Sequence, residues 1–130
     1  MATETKTVIR TEKAPAPFQG APYSQAIQAA GFVFVSGQLG LGPDHSEITG
    51  SIEEQTEQVF ANLKAILEVA GTGLERLVKT TVFLADLNDF VAMNAVYSRH
   101  VGESPPARST VEVAALPSGA RVEIEAIAHL

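Results

Sequence analysis

An α+β fold, with two helices laid on one face of a single β-sheet, is what this sequence predicts. Three observations carry the prediction. Residues 51–70 have the start, stop and spacing of an amphipathic helix. A second helical pattern closes at Gly102 and Pro105-Pro106. Around these lie short runs rich in β-branched and aromatic residues, giving the order strands, helix, strand, helix, two strands.

Residues 5–11 alternate weakly and are expected to form an edge strand. Ala14-Pro15-Ala16-Pro17 is stiff and extended, because proline lacks an amide and restricts the residue before it. Residues 18–23 read as a loop on Gly20 and Pro22, and this loop delivers Tyr23. Residues 26–30 are expected as a short strand, turned by Gly31 into a clear strand at 32–36. Residues 37–50, with four glycines and Pro43-Asp44, read as loop. Ser51 and Glu54 fit a capping box, in which hydroxyl and carboxylate each take a free amide. Ile52, Val59, Leu63, Ile66 and Ala70 then share one helix face, and Gly71 and Gly73 end the helix. Residues 77–84 read as a strand. The second helix runs from Leu87 or Asn88 to His100, with Asn88 as N-cap. Phe90, Met93, Val96 and Tyr97 lie along its inner side, Phe90 and Tyr97 as core. Strands at 107–114 and 121–128 follow, joined as a hairpin by Leu116-Pro117-Ser118-Gly119. No repeat or linker interrupts residues 1–130, which are expected to form one domain.

Composition narrows the function. The chain is 45% hydrophobic and 18% charged over 130 residues, an ordinary globular balance. It has no cysteine, which excludes disulfides, thiolate nucleophiles and thiolate metal sites and suits a reducing compartment. A net charge of -6, with nine scattered Lys and Arg, argues against a nucleic-acid or anionic-membrane surface but leaves room for a small anion. No apolar run approaches the ~20 residues that span a bilayer. Residues 1–13 show no secretory pattern, so a cytoplasmic protein is expected. His45, His100 and His129 have no ligand spacing, and no metal or cofactor is expected; His100 reads as a helix-end residue complementing the dipole. Residues 37–42 match no phosphate loop, and Ser36-Gly37 is no nucleophile elbow.

The last two strands draw the chemistry. The helices need an apolar surface, so Val111, Val113, Val122 and Ile124 must face them together, and alternation sends Arg108, Thr110, Glu112, Glu123 and Glu125 to the opposite face. One reading is a solvated face of mixed charge. The other is a face packed on a second subunit, since Ile127 and Thr110 interrupt the charges. In that case Arg108 and Glu123 converge in a crevice that another protomer completes.

Six segments resemble the RidA (YjgF) family: Pro22-Tyr23-Ser24-Gln25-Ala26, Val35-Ser36-Gly37-Gln38, Lys79-Thr80-Thr81-Val82-Phe83, Asp86-Leu87-Asn88-Asp89-Phe90, Pro106-Ala107-Arg108-Ser109 and Val122-Glu123-Ile124-Glu125-Ala126. They keep the family's order and extend over residues 13–130. The resemblance implies a chorismate-mutase-like (bacillus type) protomer, a single mixed β-sheet with two helices packed on one face. It further implies a homotrimer with sheets inward and active sites between subunits. The implied activity is hydrolysis of reactive 2-imino acids, released by pyridoxal-phosphate-dependent dehydratases, to 2-keto acids and ammonia. Carried over by motif, Arg108 grips the substrate carboxylate and Glu123 activates water. Tyr23 and Ser36 line the cleft, and Gly37 marks a close backbone approach. Thr110 stands in the substrate site where many relatives have cysteine, and Ala21 is an insertion before Pro22. Glu125 is read either as a partner that raises the pKa of one carboxylate or as a trimer salt bridge with Arg121, the second being favoured. A non-catalytic module binding a keto or amino acid is the alternative function, and RNA cleavage a more distant one.

Overall fold

A computed structural model describes residues 5–130. Its elements are β1 (Thr7–Ile9), β2 (Ala26–Ala29), β3 (Phe32–Leu39), α1 (Ile52–Val69), β4 (Leu77–Leu84), α2 (Phe90–Val101), β5 (Ala107–Glu112) and β6 (Val122–His129). The strands form one mixed sheet in the order β1-β2-β3-β6-β4-β5, antiparallel except for the β4–β5 pair. Both helices lie on one face, the α+β architecture expected.

Local chemistry accounts for most elements. Ala30 and Gly31 both adopt left-handed φ, +53° and +84°, which makes the two-residue turn that joins β2 to β3. The capping box of α1 is formed, with Ser51 Oγ accepting from the Glu54 amide at 3.1 Å and Glu54 Oε1 from the Ser51 amide at 3.0 Å. Ile52, Val59, Leu63 and Ile66 are buried as the spacing requires, and Phe60 and Leu67 join them. These side chains meet Val33, Val35, Val82, Leu84, Val122 and Ile124 from the sheet. Each fully buried Leu or Phe side chain stabilises the core by about 1.5–3 kcal/mol. Among the described residues no helix is long and apolar enough to cross a membrane.

Three expectations change. β3 does not stop at Ser36 but continues to Leu39, across a bulge between Val35 and Gln38. Of the stretch read as loop, residues 37–39 are instead strand with one extra residue at the bulge, which glycine tolerates at little steric cost, while residues 40–50 form the loop expected. Asn88 is not the N-cap of α2. A short 3-10 turn, Leu87–Asp89, precedes the helix, and Asp86 accepts the Asn88 amide at 2.8 Å. An aspartate two residues before a free amide satisfies it first, so the helix proper begins at Phe90.

The third correction concerns the last two strands, which are not a hairpin. β4 lies between β5 and β6, and α2 is the crossover between the parallel strands β4 and β5. Val82 stands opposite Ile124 on one side and opposite Thr110 on the other. Thr80 likewise aligns with Ala126 and with Arg108. Since Thr80, Val82, Ile124 and Ala126 are all buried, Arg108 and Thr110 lie on the helix-covered face. Glu123 and Glu125, aligned with Phe83 and Thr81, lie on the open face. Val111 shares that open face and is 42% exposed. The expectation that Val111 packs under the helices, with Arg108 and Glu123 on a common face, is therefore reversed.

Candidate active site

The open face carries one half of the candidate site, and the β3 bulge builds it. At the bulge Ser36 Oγ donates to the Ser24 carbonyl at 2.6 Å, and the Ser36 amide donates to the Gln25 carbonyl at 2.9 Å. These bonds tie the segment bearing Tyr23 to the strand. The buried Gln25 side chain ties it further. Its amide donates to the carbonyls of Thr11, Ala14 and Pro15, and its oxygen accepts from the Thr11 amide at 2.7 Å. The stiff Ala14-Pro15-Ala16-Pro17 run is thereby held against the sheet. Tyr23 projects from the loop, half exposed, its hydroxyl accepting from the Phe18 amide. Ala21 takes part in this loop, its carbonyl accepting from the Tyr23 amide at 2.9 Å.

A cleft of about 510 Å³ results, with Tyr23, Ser36, Gly37, Glu123 and Glu125 among its walls. Leu39, Leu41 and Phe83 supply apolar surface beside them. Gly37 faces the Glu123 side chain so closely that a β-carbon there would stand 2.7 Å from Oε2 and 2.8 Å from Cδ. Glycine is thus required by the carboxylate that occupies the space. Burial raises the proton affinity of Glu123 above that of an ordinary glutamate, and the neighbouring charge of Glu125 raises it further. A carboxylate in this state is a stronger base than one in water.

Arg108 belongs to the other half, on the helix-covered side of the edge strand β5. Its Nη1 donates to Asn94 Oδ1 at 2.8 Å. Its guanidinium carbon lies 4.7 Å from the centre of the Tyr97 ring and 5.5 Å from that of Phe90. Tyr97 is itself fixed by a 2.6 Å hydrogen bond to Thr80. Among the described residues Arg108 makes no salt bridge, whereas Arg99 pairs with Glu57 and Arg121 with Asp89. An oriented guanidinium with no acidic partner is a ready receptor for a carboxylate. Thr110, two residues on along the same face, has a buried hydroxyl oxygen without a hydrogen-bond partner.

Of the residues singled out from the sequence, the structure brings together Tyr23, Ser36, Gly37 and Glu123; it sets Arg108 and Thr110 apart from them. Arg121 binds Asp89 at both ends of its fork, 2.7 and 3.1 Å, and so is not the partner of Glu125. Phe90 is not core: it is 37% exposed and serves as a platform under Arg108. His100 stacks on Phe60 at 4.6 Å and contacts Glu57 at 3.2 Å, joining α2 to α1. No group of three or more His, Asp or Glu among the described residues is arranged to hold a metal. Two contributors escaped the sequence reading, Asn94 and Gln25. Asn94 had a signal, a polar residue on the 90-94-97 helical stripe between two aromatics. Gln25 stood inside one of the family-resembling segments, but its role was not legible there, because its partners lie ten to fourteen residues away in an irregular segment.

The sequence model of a known family, described as Endoribonuclease L-PSP, matches residues 11–130. The chain belongs to that family. A RutC family protein of Pyrococcus abyssi is 55% identical over 125 residues, covering 95% of this chain and 97% of its own length. The mouse protein named 2-iminobutanoate/2-iminopropanoate deaminase is 46% identical, over 98% of this chain and 94% of its own. The crystal structure of RidA from an Antarctic Psychrobacter superimposes with a TM-score of 0.90 at 46% identity, covering 95% of this chain and 99% of that one. The L-PSP fold accordingly accounts for the sheet order and helix placement described above.

Proposed function

We propose that this L-PSP family member hydrolyses reactive 2-imino acids to 2-keto acids and ammonia, at sites formed between copies of the chain. The observation that carries the reading is the unpaired, oriented guanidinium of Arg108 on one face, set against a sheltered basic carboxylate on the other. A 2-imino acid presents a carboxylate for the first and an electrophilic carbon for attack by water activated by the second. One chain holds these groups on opposite faces, so a complete site needs Arg108 from one protomer and Glu123 from its neighbour. The open face supports association: Val8, Phe32, Phe34 and Val111 are exposed there at 38–49%. Apolar surface of this kind is normally covered. A homotrimer with sheets inward covers it and is the assembly proposed.

In the reaction Arg108 fixes the substrate carboxylate and, with Asn94 holding the guanidinium, sets the angle at which the C=N carbon is presented. Such positioning makes water attack effectively intramolecular. Water oxygen bonds to that carbon while its proton passes to Glu123, and the C=N electron pair moves to nitrogen. Glu123 returns that proton to the nitrogen, giving the neutral carbinolamine. It then takes the carbinolamine hydroxyl proton and passes it to the nitrogen as the C–N bond breaks. The oxygen electron pair forms the keto group, ammonia leaves and Glu123 is again ionised. A positioned base contributes about 10² to 10⁴ in rate. Tyr23 and Ser36 line the cleft and Gly37 leaves it room; Thr110 offers its free hydroxyl beside Arg108. The chemistry needs no thiol, so threonine at 110 is compatible with it. Action in the cytoplasm, on imines released by other enzymes, fits a cysteine-free chain.

RNA cleavage is disfavoured by a cleft whose charged walls are both carboxylates, which repel phosphodiesters. The reading is tested by generating 2-imino acids in situ with an amino-acid oxidase. Catalytic amounts of the protein should accelerate 2-keto acid release, and Glu123→Gln should abolish the acceleration while 2-keto acid binding survives. No acceleration with short or long side chains would leave a binding module.

A further inference from the structure

Three polar side chains, Gln55, Thr56 and Asn62, are buried on α1. Thr56 bonds back to its own helix, its Oγ1 donating to the Ile52 carbonyl at 2.7 Å. Gln55 and Asn62, close to two helical turns apart and so pointing the same way, reach out of it. A buried amide is tolerated only with its partners in place, so the groups it binds identify its task. Gln55 holds the end of the loop that follows β3, its Nε2 donating to the Gly50 carbonyl at 3.1 Å. Asn62 holds the beginning. Its Nδ2 donates to the carbonyls of Leu39 and Leu41 at 3.1 and 2.9 Å, and its Oδ1 accepts from Gln58 Nε2 at 2.9 Å. Gly40, between those two leucines, passes so near the helix that a β-carbon there would stand 2.8 Å from the Gln55 Cα. Both leucines line the cleft, and Leu39 is the register partner of Glu123 across the β3–β6 pair. Asn62 is 0% exposed within its own chain, so association of protomers leaves its partners unchanged.

We propose that Asn62 is a positioning residue that sets side-chain selectivity, because its amide clamps Leu39 and Leu41 into the apolar wall that faces the substrate. The inference rests on the deaminase reading and adds to it a residue that touches neither water nor substrate. With the imino acid's carboxylate on Arg108 of the neighbouring protomer and its C=N carbon presented to Glu123, the remaining substituent is the side chain. Leu39, Leu41 and Phe83 are the apolar surface beside Glu123 that receives it. One methylene gained or lost in such a pocket changes kcat/KM by about 10- to 200-fold, so a wall held in place discriminates by length.

Asn62→Ala removes the clamp and leaves every residue of the wall in the sequence. Imines of leucine and alanine, generated in situ by an amino-acid oxidase, give relative kcat/KM for a long and a short side chain. The long-to-short ratio is expected to fall about three- to tenfold, since a displaced wall loses contact only with the longer chain. A loss of folded protein lowers both rates together and leaves the ratio alone, which separates positioning from stability. Leu41→Ala should shift the ratio the same way, and adding Asn62→Ala to it should shift it little further, because residues acting through one another are not additive. Gln58→Ala removes the bond that orients the Asn62 amide from a half-buried position; it should give a smaller shift in the same direction. An unmoved ratio in Asn62→Ala, or in Gln58→Ala where Asn62→Ala does not fold, overturns the inference, as does a full further shift on the Leu41→Ala background. Where wild type accelerates neither imine, the ratio is read from the Kd values of 4-methyl-2-oxopentanoate and pyruvate. A shift there overturns the deaminase reading and leaves the clamp supported, and no shift overturns both.

Discussion

Arg108 and Gly37 show how much depends on single side chains here. The Arg108 guanidinium lies over the Tyr97 ring and is anchored by Asn94, an arrangement that an ammonium group cannot copy. Arg108→Lys keeps the charge and loses the fork, so 2-keto acid binding should weaken about ten- to a hundredfold, the worth of one charge-assisted hydrogen bond. Isothermal titration with 2-oxobutanoate measures this directly. Gly37→Ala acts on the other half. Its new methyl group displaces the Glu123 carboxylate, which would otherwise be 2.7 Å away. Because the clash is with the end of a side chain, the fold should survive. A catalytic group misplaced by about 1 Å can cost on the order of 10² in rate, so kcat should fall steeply at an unchanged melting temperature. Glycine at 37 is legible as a special position in the sequence; that its neighbour is the proposed base is not.

At the scale of elements, the loop before β2 owes its place to one amide side chain. Gln25 makes four hydrogen bonds to backbone groups of Thr11, Ala14 and Pro15 from a site only 4% exposed. Gln25→Ala leaves those groups without partners, and urea unfolding should show a loss of about 2–4 kcal/mol. The elements themselves were mostly readable. Helix α1, strand β4 and the β2–β3 turn follow from capping, β-branched composition and glycine, all of which act between near neighbours. The β3 bulge was not readable, since an extra residue in a strand is defined against the partner strand β6. Asn88 was misplaced as a cap for a related reason: Asp86 and Asn88, two residues apart, both suit that role, and geometry chose Asp86 as cap of the 3-10 turn that precedes the helix.

The whole molecule decides whether a site exists. With Arg108 and Glu123 on opposite faces, Arg108→Ala and Glu123→Ala chains should each be inactive alone. Co-refolded in equal amounts they should recover activity, since about a quarter of the interfaces in a randomly mixed ring pair an intact arginine with an intact glutamate. A single-chain site would show no recovery. Glu123 also links the site to global stability. Its folded pKa is raised above the ordinary 4.5, so the folded chain holds this proton more tightly than the unfolded one. Its contribution therefore favours folding at low pH and turns against it as pH rises through the ordinary carboxylate range to the raised value. Glu123→Gln should accordingly melt higher than wild type at pH 8 and lose that advantage near pH 4, as scanning calorimetry at both values would show. Glu57, held ionised by Arg99, has the opposite sign and stabilises the α1–α2 contact above its lowered pKa.

Short-range physics was enough to predict the fold class, the order of elements and the capped helix. Alternation along β5 and β6 told which residues of each strand share a face, because side-chain direction within a strand is a local property. Which face of β5 matches which face of β6 depends on the strand between them, and only the tertiary structure placed β4 there. Pairing between distant strands is set by the whole sheet and its helix cover, so Arg108 and Glu123 were recognisable by type while their separation across the sheet was not.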